Sequence, residues 1–194
     1  MALPIDMGER GNGGEILHPQ MKNKWRLTFN GIGGVLDSQA LTFQAITADR
    51  PKLSFEVVTL DRYNSRAYVA GKHQFDPMNV TMEADIGGGV ASVIRAQLER
   101  QQRIIGMTSA PRLPSALSGQ DYKFSVTQEI LDGDNTALEI WYIEGAWLEN
   151  VDFTDLDYAA SETIKIQMTI RYDHARQEIL GKSGRAVGGM APTL

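Results

Sequence analysis

Along Thr163–Tyr172 the even positions read Ile164, Ile166, Met168, Ile170 and Tyr172, while the odd positions read Thr163, Lys165, Gln167, Thr169 and Arg171. A period of two without exception predicts a strand with one buried and one wet face. The same alternation predicts strands at Lys24–Phe29 (Trp25, Leu27, Phe29), Leu41–Ile46 (Leu41, Phe43, Ala45) and Leu53–Leu60 (Leu53, Phe55, Val57). It continues at Asn79–Asp85 (Val80, Met82, Ala84), Tyr122–Ile130 (Tyr122, Phe124, Val126) and Leu138–Glu144 (Leu138, Ile140, Tyr142), with Ala146–Phe153 a further strand or connector. Asp132-Gly133-Asp134-Asn135 is hairpin-turn chemistry between two of these.

One segment has a helical period. Across Gly89–Ile105, Val90, Val93, Ile94, Leu98 and Ile105 share a face, and Glu99 and Arg103 form an i,i+4 pair. Gly106 suits the stop, and Met107–Gly119, with Pro111 and Pro114, reads as a loop. One amphipathic helix among antiparallel strands predicts a mainly β chain, a sandwich or barrel with the helix on one flank. Asp61–Gly71 is polar and carries Arg62, Tyr63, Asn64, Arg66 and Tyr68. It reads as a long polar hairpin projecting from the domain, a mobile loop or a docking element, and loops of this length are seldom without function.

The ends lack periodicity. Met1–Gln20 is expected to be an extended N-terminal arm, residues 21–175 the β domain, and residues 176–194 a C-terminal tail punctuated by Gly181, Gly184, Gly188 and Gly189. A chain of 194 residues suits one domain and buries enough surface to need no staples. It has no cysteine, which removes disulfides, thiolate metal sites and Cys nucleophiles. The formal net charge of −5 lacks the basic balance of a duplex-binding surface, yet suits a wall that nucleic acid slides past. No apolar run approaches the ~20 residues of a membrane helix, and Met1–Gly14 lacks the features of a signal peptide.

Candidate chemistry is sparse. Gly87-Gly88-Gly89 joins a strand to a helix, as a phosphate cradle does, but without GxGxxG or GxxxxGK[ST] spacing it reads as a tight turn. His18, His73 and His174 are scattered, so no metal or other cofactor is expected. Asp132, Asp134 and Asn135 lack the glycine and glutamate of a calcium loop. Asp152, Asp155 and Asp157 cluster after Trp147, either as paired carboxylates for acid–base work or as a solvated loop or interface partner for Arg. No GxSxG elbow occurs. Trp141 is out of phase with Leu138, Ile140 and Tyr142, which predicts a strand covered on both faces.

The order of these segments resembles the tail tube proteins of contractile-tailed bacteriophages over most of Met21–Ala175. The likeness runs through the opening strand Lys24–Phe29, then Leu41–Ile46, then Pro51–Val57 feeding a polar hairpin that ends in Ala70-Gly71. It continues through Met78–Asp85 before the single helix, Trp141–Val151 before Asp155-Leu156-Asp157-Tyr158, and the closing strand Ile164–Tyr172. The resemblance implies a non-enzymatic virion subunit, assembled in the host cytoplasm, without cofactor. Its copies would join sheets edge to edge in hexameric rings that stack into a hollow tube. Partners would be other copies, sheath, baseplate and tail-terminator proteins, with viral DNA passing through the lumen unbound. Arg62, Tyr63, Asn64, Arg66 and Tyr68 would dock between subunits, with both arms adding contacts. Glu83, Asp85 and Glu139, on polar strand faces, are expected lumen acids. The tube of a related injection or secretion device, a ring-forming terminator or baseplate protein, a β-rich hydrolase using the Asp152 cluster and a monomeric binding module stay open at this point.

Overall fold

The computed structural model describes residues 20–34, 39–102, 122–132, 134–159 and 161–180. Both expected arms, apart from Gln20 and residues 176–180, and the loop Met107–Gly119 lie outside them. The chain is mainly β and antiparallel, with a helix on one flank. In chain order come β1 (Trp25–Asn30), a 3-10 turn (Ile32–Gly34), α1 (Gln39–Gln44), β2 (Ala45–Ala48), β3 (Lys52–Arg62), β4 (Ser65–Asp76) and β5 (Met78–Glu83). Then follow α2 (Gly89–Gln102), β6 (Phe124–Leu131), β7 (Ala137–Asp152), β8 (Lys165–Arg171) and β9 (His174–Ile179).

Seven strands form one sheet in the order β1-β6-β7-β8-β5-β2, with β9 also on β7. The sheet turns a corner within β7. The first half of β7 pairs with β6 (Val126 opposite Ile143) and with β9 (Glu144 opposite His174), and the second half pairs with β8 (Trp147 opposite Arg171). β8 and β9 therefore run as nearly one strand along β7, interrupted at Tyr172-Asp173. The corner on β7 is Gly145, at φ 68°. Buried side chains change parity there, from Ile143 before it to Ala146 and Leu148 after it. The left-handed backbone favours glycine, and a Cβ would run into the Asp173 carboxylate.

One apolar core joins both halves: Leu27 and Phe29 of β1, Met78, Val80 and Met82 of β5, Ile166, Met168 and Ile170 of β8, and Val90 and Ile94 of α2. β5 and β8 bury alternate residues, as their sequence period requires. Phe29 and Phe124 meet with ring centroids 6.3 Å apart.

Several expectations change. Leu41–Ile46 is not one strand: Gln39–Gln44 is helical, and β2 begins at Ala45. Residues two apart on a helix lie nearly opposite, so Leu41 is buried while Phe43 is exposed. Leu138–Glu144 and Ala146–Phe153 are one strand, β7. Its inward residues before the corner are Glu139, Trp141 and Ile143, the parity opposite to Leu138, Ile140 and Tyr142. The expected domain limit at 175 falls inside β9, a strand of the sheet that runs to Ile179.

Candidate assembly surface

β3 and β4 pair with each other and with no other strand of the described residues. The hairpin is therefore longer than Asp61–Gly71; it runs from Lys52 to Asp76, about 36 Å at ~3.3 Å per residue for its eleven-residue first strand. Gly71 and Lys72 together oppose Glu56, a bulge that shifts the register between Phe55 and Val57. A Cβ on Gly71 would sit 2.9 Å from the Glu56 carbonyl oxygen, so the two strands approach there as closely as glycine allows.

Asp61–Arg66 carries the expected polar groups, whereas the strand segments leading to and from it expose apolar side chains. Leu53, Phe55, Val57, Val58, Leu60, Tyr68 and Val69 are 43–67% exposed. Because directly opposed residues share a face, Leu53, Phe55, Val57 and Tyr68 lie on one side, and Val58, Leu60 and Val69 on the other. The adjacent pair Val57-Val58, apolar on both faces of a strand, is the sequence signal that marks this element and that alternation alone passes over. A two-stranded ribbon is marginally stable in water, and large contiguous apolar patches are uncommon on the surface of monomeric proteins. Fully burying one such side chain contributes about 1.5–3 kcal/mol. Several together can offset the roughly 4–15 kcal/mol that association costs.

The residues expected to dock sit at the far end of this hairpin. Tyr63 and Asn64 form the turn, Arg62 faces Ser65, Arg66 pairs with Asp61 at 3.0 Å, and Tyr68 lies opposite Thr59. The near end is anchored by an aromatic row. Phe55 and His73 are 6.4 Å apart, His73 and Phe75 5.8 Å, and Phe75 lies 5.5 Å from Tyr172 and 5.7 Å from His174 at the β8–β9 junction. Tyr172 is buried, which pushes its phenol pKa up. His18 lies outside the described residues.

β1, β2 and β9 each pair on one side among the described strands. Such edges are templates for another chain unless they are blocked.

The three expected lumen acids go to different places. Glu83 ends β5 opposite Lys165. Asp85 caps α2: its carboxylate accepts the N–H groups of Gly89 and Val90, each at 3.0 Å. The Val90 bond, then the Gly89 bond, hold its pKa below the usual value. The amides that a phosphate would need at Gly87-Gly88-Gly89 are thus partly occupied. Glu139, expected on a polar face, is turned inward and only 6% exposed. Its carboxylate accepts from Arg50, from the Trp141 indole and, at 2.9 Å, from Gln177. The pair with Arg50 compensates the buried charge and ties the segment after β2 to β7 and β9.

Asp152 ends β7, and Asp155 and Asp157 lie on the exposed segment after it; Asp152 and Asp157 accept backbone N–H groups two residues on, at 3.0 and 2.9 Å. Among the described residues no three His, Asp or Glu side chains group as metal ligands would. No helix among them is long and apolar enough to cross a membrane.

Solved structures share this fold. A chain in the anti-feeding prophage cap, the tube-terminating cap, superposes with a TM-score of 0.63 at 14% identity, covering 92% of this chain and 99% of that one. One in the extended sheath–tube complex of an extracellular contractile injection system gives 0.57 at 11% identity, covering 84% and 93%. The SPP1 tail tube gives 0.53 at 10% identity, covering 85% and 82%. The resemblance in segment order is thus matched by a common fold with tube proteins of phage tails and contractile injection systems. No family model matches the chain, and no curated protein matches its sequence.

Proposed function

We propose that this protein is a structural subunit of a phage tail tube, and that its copies form stacked hexameric rings around a lumen that conducts DNA. The observation that carries this reading is the β3–β4 hairpin, an exposed apolar ribbon on a fold shared with tube proteins. A second copy supplies the cover that the hairpin lacks, and the open edges of β1, β2 and β9 let sheets continue from one subunit to the next. Arg62, Tyr63, Asn64, Arg66 and Tyr68 are the docking end. The acidic balance of the chain suits a lumen that repels DNA, and Glu83 is the acid of the original three best placed to line it. Sheath, baseplate and terminator proteins are the further partners, and the chain itself has no catalytic role.

A tube of a related injection device would use the same surfaces without DNA traffic. A ring-forming terminator is a second reading, favoured by the superposition on a chain of a tube-terminating cap. Negative-stain electron microscopy across a concentration series separates them. Hollow filaments of uniform bore support the tube, rings that never stack support the terminator, and a persistent monomer rejects self-assembly.

A further inference from the structure

Two patches at opposite ends of the sheet complement each other in charge and polarity. The first is a cavity of about 310 Å³ where β1, β2 and β6 converge. Trp25 and Ile130 form apolar wall, and Lys22, Lys24 and Arg50 contribute three cations; no carboxylate lines it. Arg50 already pairs with Glu139, whereas Lys22 and Lys24 have no ion-pair partner among the described residues. Gln128, also lining the cavity, is 3% exposed and leaves its Oε1 without a hydrogen-bond partner.

The second patch is Asp155-Leu156-Asp157-Tyr158, on the segment between β7 and β8. Leu156 and Tyr158 are almost wholly exposed. The stretch carries two carboxylates and two large apolar groups, one of which has a hydroxyl donor. Exposed leucine and tyrosine beside two carboxylates match an apolar pocket rimmed by lysines.

The two patches cannot meet within one molecule. β5 starts at the cavity end, where the Asp49 N–H donates to the Asn79 carbonyl at 2.9 Å. It finishes at the segment end, where Glu83 faces Lys165 and the Ala84 N–H donates to Ile164. Four residues of strand, about 14 Å, separate Asn79 from Glu83. Two unlike complementary patches at opposite ends make a heterologous, head-to-tail contact, which propagates into rings or filaments.

We infer that Asp155–Tyr158 of one copy docks into the Lys22/Lys24/Trp25 cavity of the next, its carboxylates against the two lysines and its Leu156 and Tyr158 against the apolar wall. The contact rests on the self-assembly reading above but does not use the hairpin.

Reciprocal charge reversal tests it, read by sedimentation velocity and negative-stain microscopy on the full chain. Asp155→Lys with Asp157→Lys reverses the segment; Lys22→Glu with Lys24→Glu reverses the cavity. All four positions are exposed, and an unchanged thermal midpoint confirms the fold of each variant. Either variant alone is expected to associate about tenfold more weakly or worse. An equimolar mixture restores association, because each reversed patch then has a partner of opposite sign, and so does the fourfold variant. Association of either variant at wild-type strength overturns the contact while leaving the assembly reading intact. So does a mixture that fails to recover. A wild-type protein that stays monomeric rejects both.

Discussion

The side-chain amide of Gln101 pairs with Leu148 as a neighbouring strand would: its Nε2 donates to the Leu148 carbonyl at 2.9 Å, and its Oε1 accepts the Leu148 N–H at 3.1 Å. β6 stops opposite Ala146, so beyond the corner β7 lacks a β6 partner and α2 takes the place. Gln97, fully buried one turn earlier on α2, extends the clamp. Its Oε1 accepts the Gly33 N–H at 2.9 Å, and its Nε2 donates to the Tyr122 carbonyl at 2.6 Å. Two glutamines thus fasten the helix to three separate parts of the chain.

Replacing Gln101 with alanine leaves both backbone groups of buried Leu148 unpaired. An unsatisfied buried polar group costs about 1–3 kcal/mol, so Gln101→Ala is expected to lower stability by about 2–3 kcal/mol. Urea unfolding measures it at the midpoint, with an unchanged slope. A loss under about 0.5 kcal/mol, the usual range of a surface change, rejects the clamp.

Gly145 is expected to resist substitution for two separable reasons. An alanine there has a left-handed backbone, at roughly 1–2 kcal/mol, and its Cβ displaces Asp173, which holds Lys123 at 2.5 Å. In an Asp173→Ala background the steric part shrinks, so Gly145→Ala should cost less there than in the wild type. A double-mutant cycle on unfolding free energies reads the difference; strict additivity would mean that the two residues do not collide.

The hairpin can be altered without unfolding the subunit. Val58, Leu60 and Val69 share one exposed face, and each change to serine is expected to shift stability by no more than about 0.5 kcal/mol. Association should nevertheless collapse in the triple variant, because the apolar strip that drives it is gone. Thermal unfolding and sedimentation velocity on the same samples test both halves. A triple variant that assembles like the wild type places the contact elsewhere.

Asp85 gives α2 a dependence on acid. Its pKa is depressed by the N–H groups of Val90 and Gly89. Its stabilising effect is therefore complete above the ordinary carboxylate pKa and is lost as pH falls through the depressed value. Asp85→Asn removes the charge, so the variant should be less stable than the wild type at neutral pH, with the gap closing as pH falls below the ordinary carboxylate range. Thermal midpoints from neutral pH down through that range decide it; a gap independent of pH would show that the charge contributes nothing.

Much of the fold was legible in the chain. β1, β5 and β8 alternate without exception, and such a strand presents two unlike faces wherever it is placed. α2 announced itself by its period and by the glycines before it. The apolar positions Leu53, Phe55 and Val57 were legible, though the length of the hairpin and their exposure were not. β9 was missed because His174–Ile179 carries few apolar side chains. Ala175 is its buried residue, and its backbone bonds to β7 hold it.

By itself, then, the sequence determined which segments could be strand or helix and that the chain would be mainly β, because side-chain periodicity is a local property. Tertiary structure decided which face of each strand is covered and by what. Glu139 looked like a wet acid and is buried, because Arg50, 89 positions away, reaches it. Leu41 and Phe43 looked like one strand face and are split by a helical turn. β7 changes its buried parity at Gly145 because the sheet bends there. Each outcome depends on groups distant in sequence that folding brings together, and no local pattern carries that information.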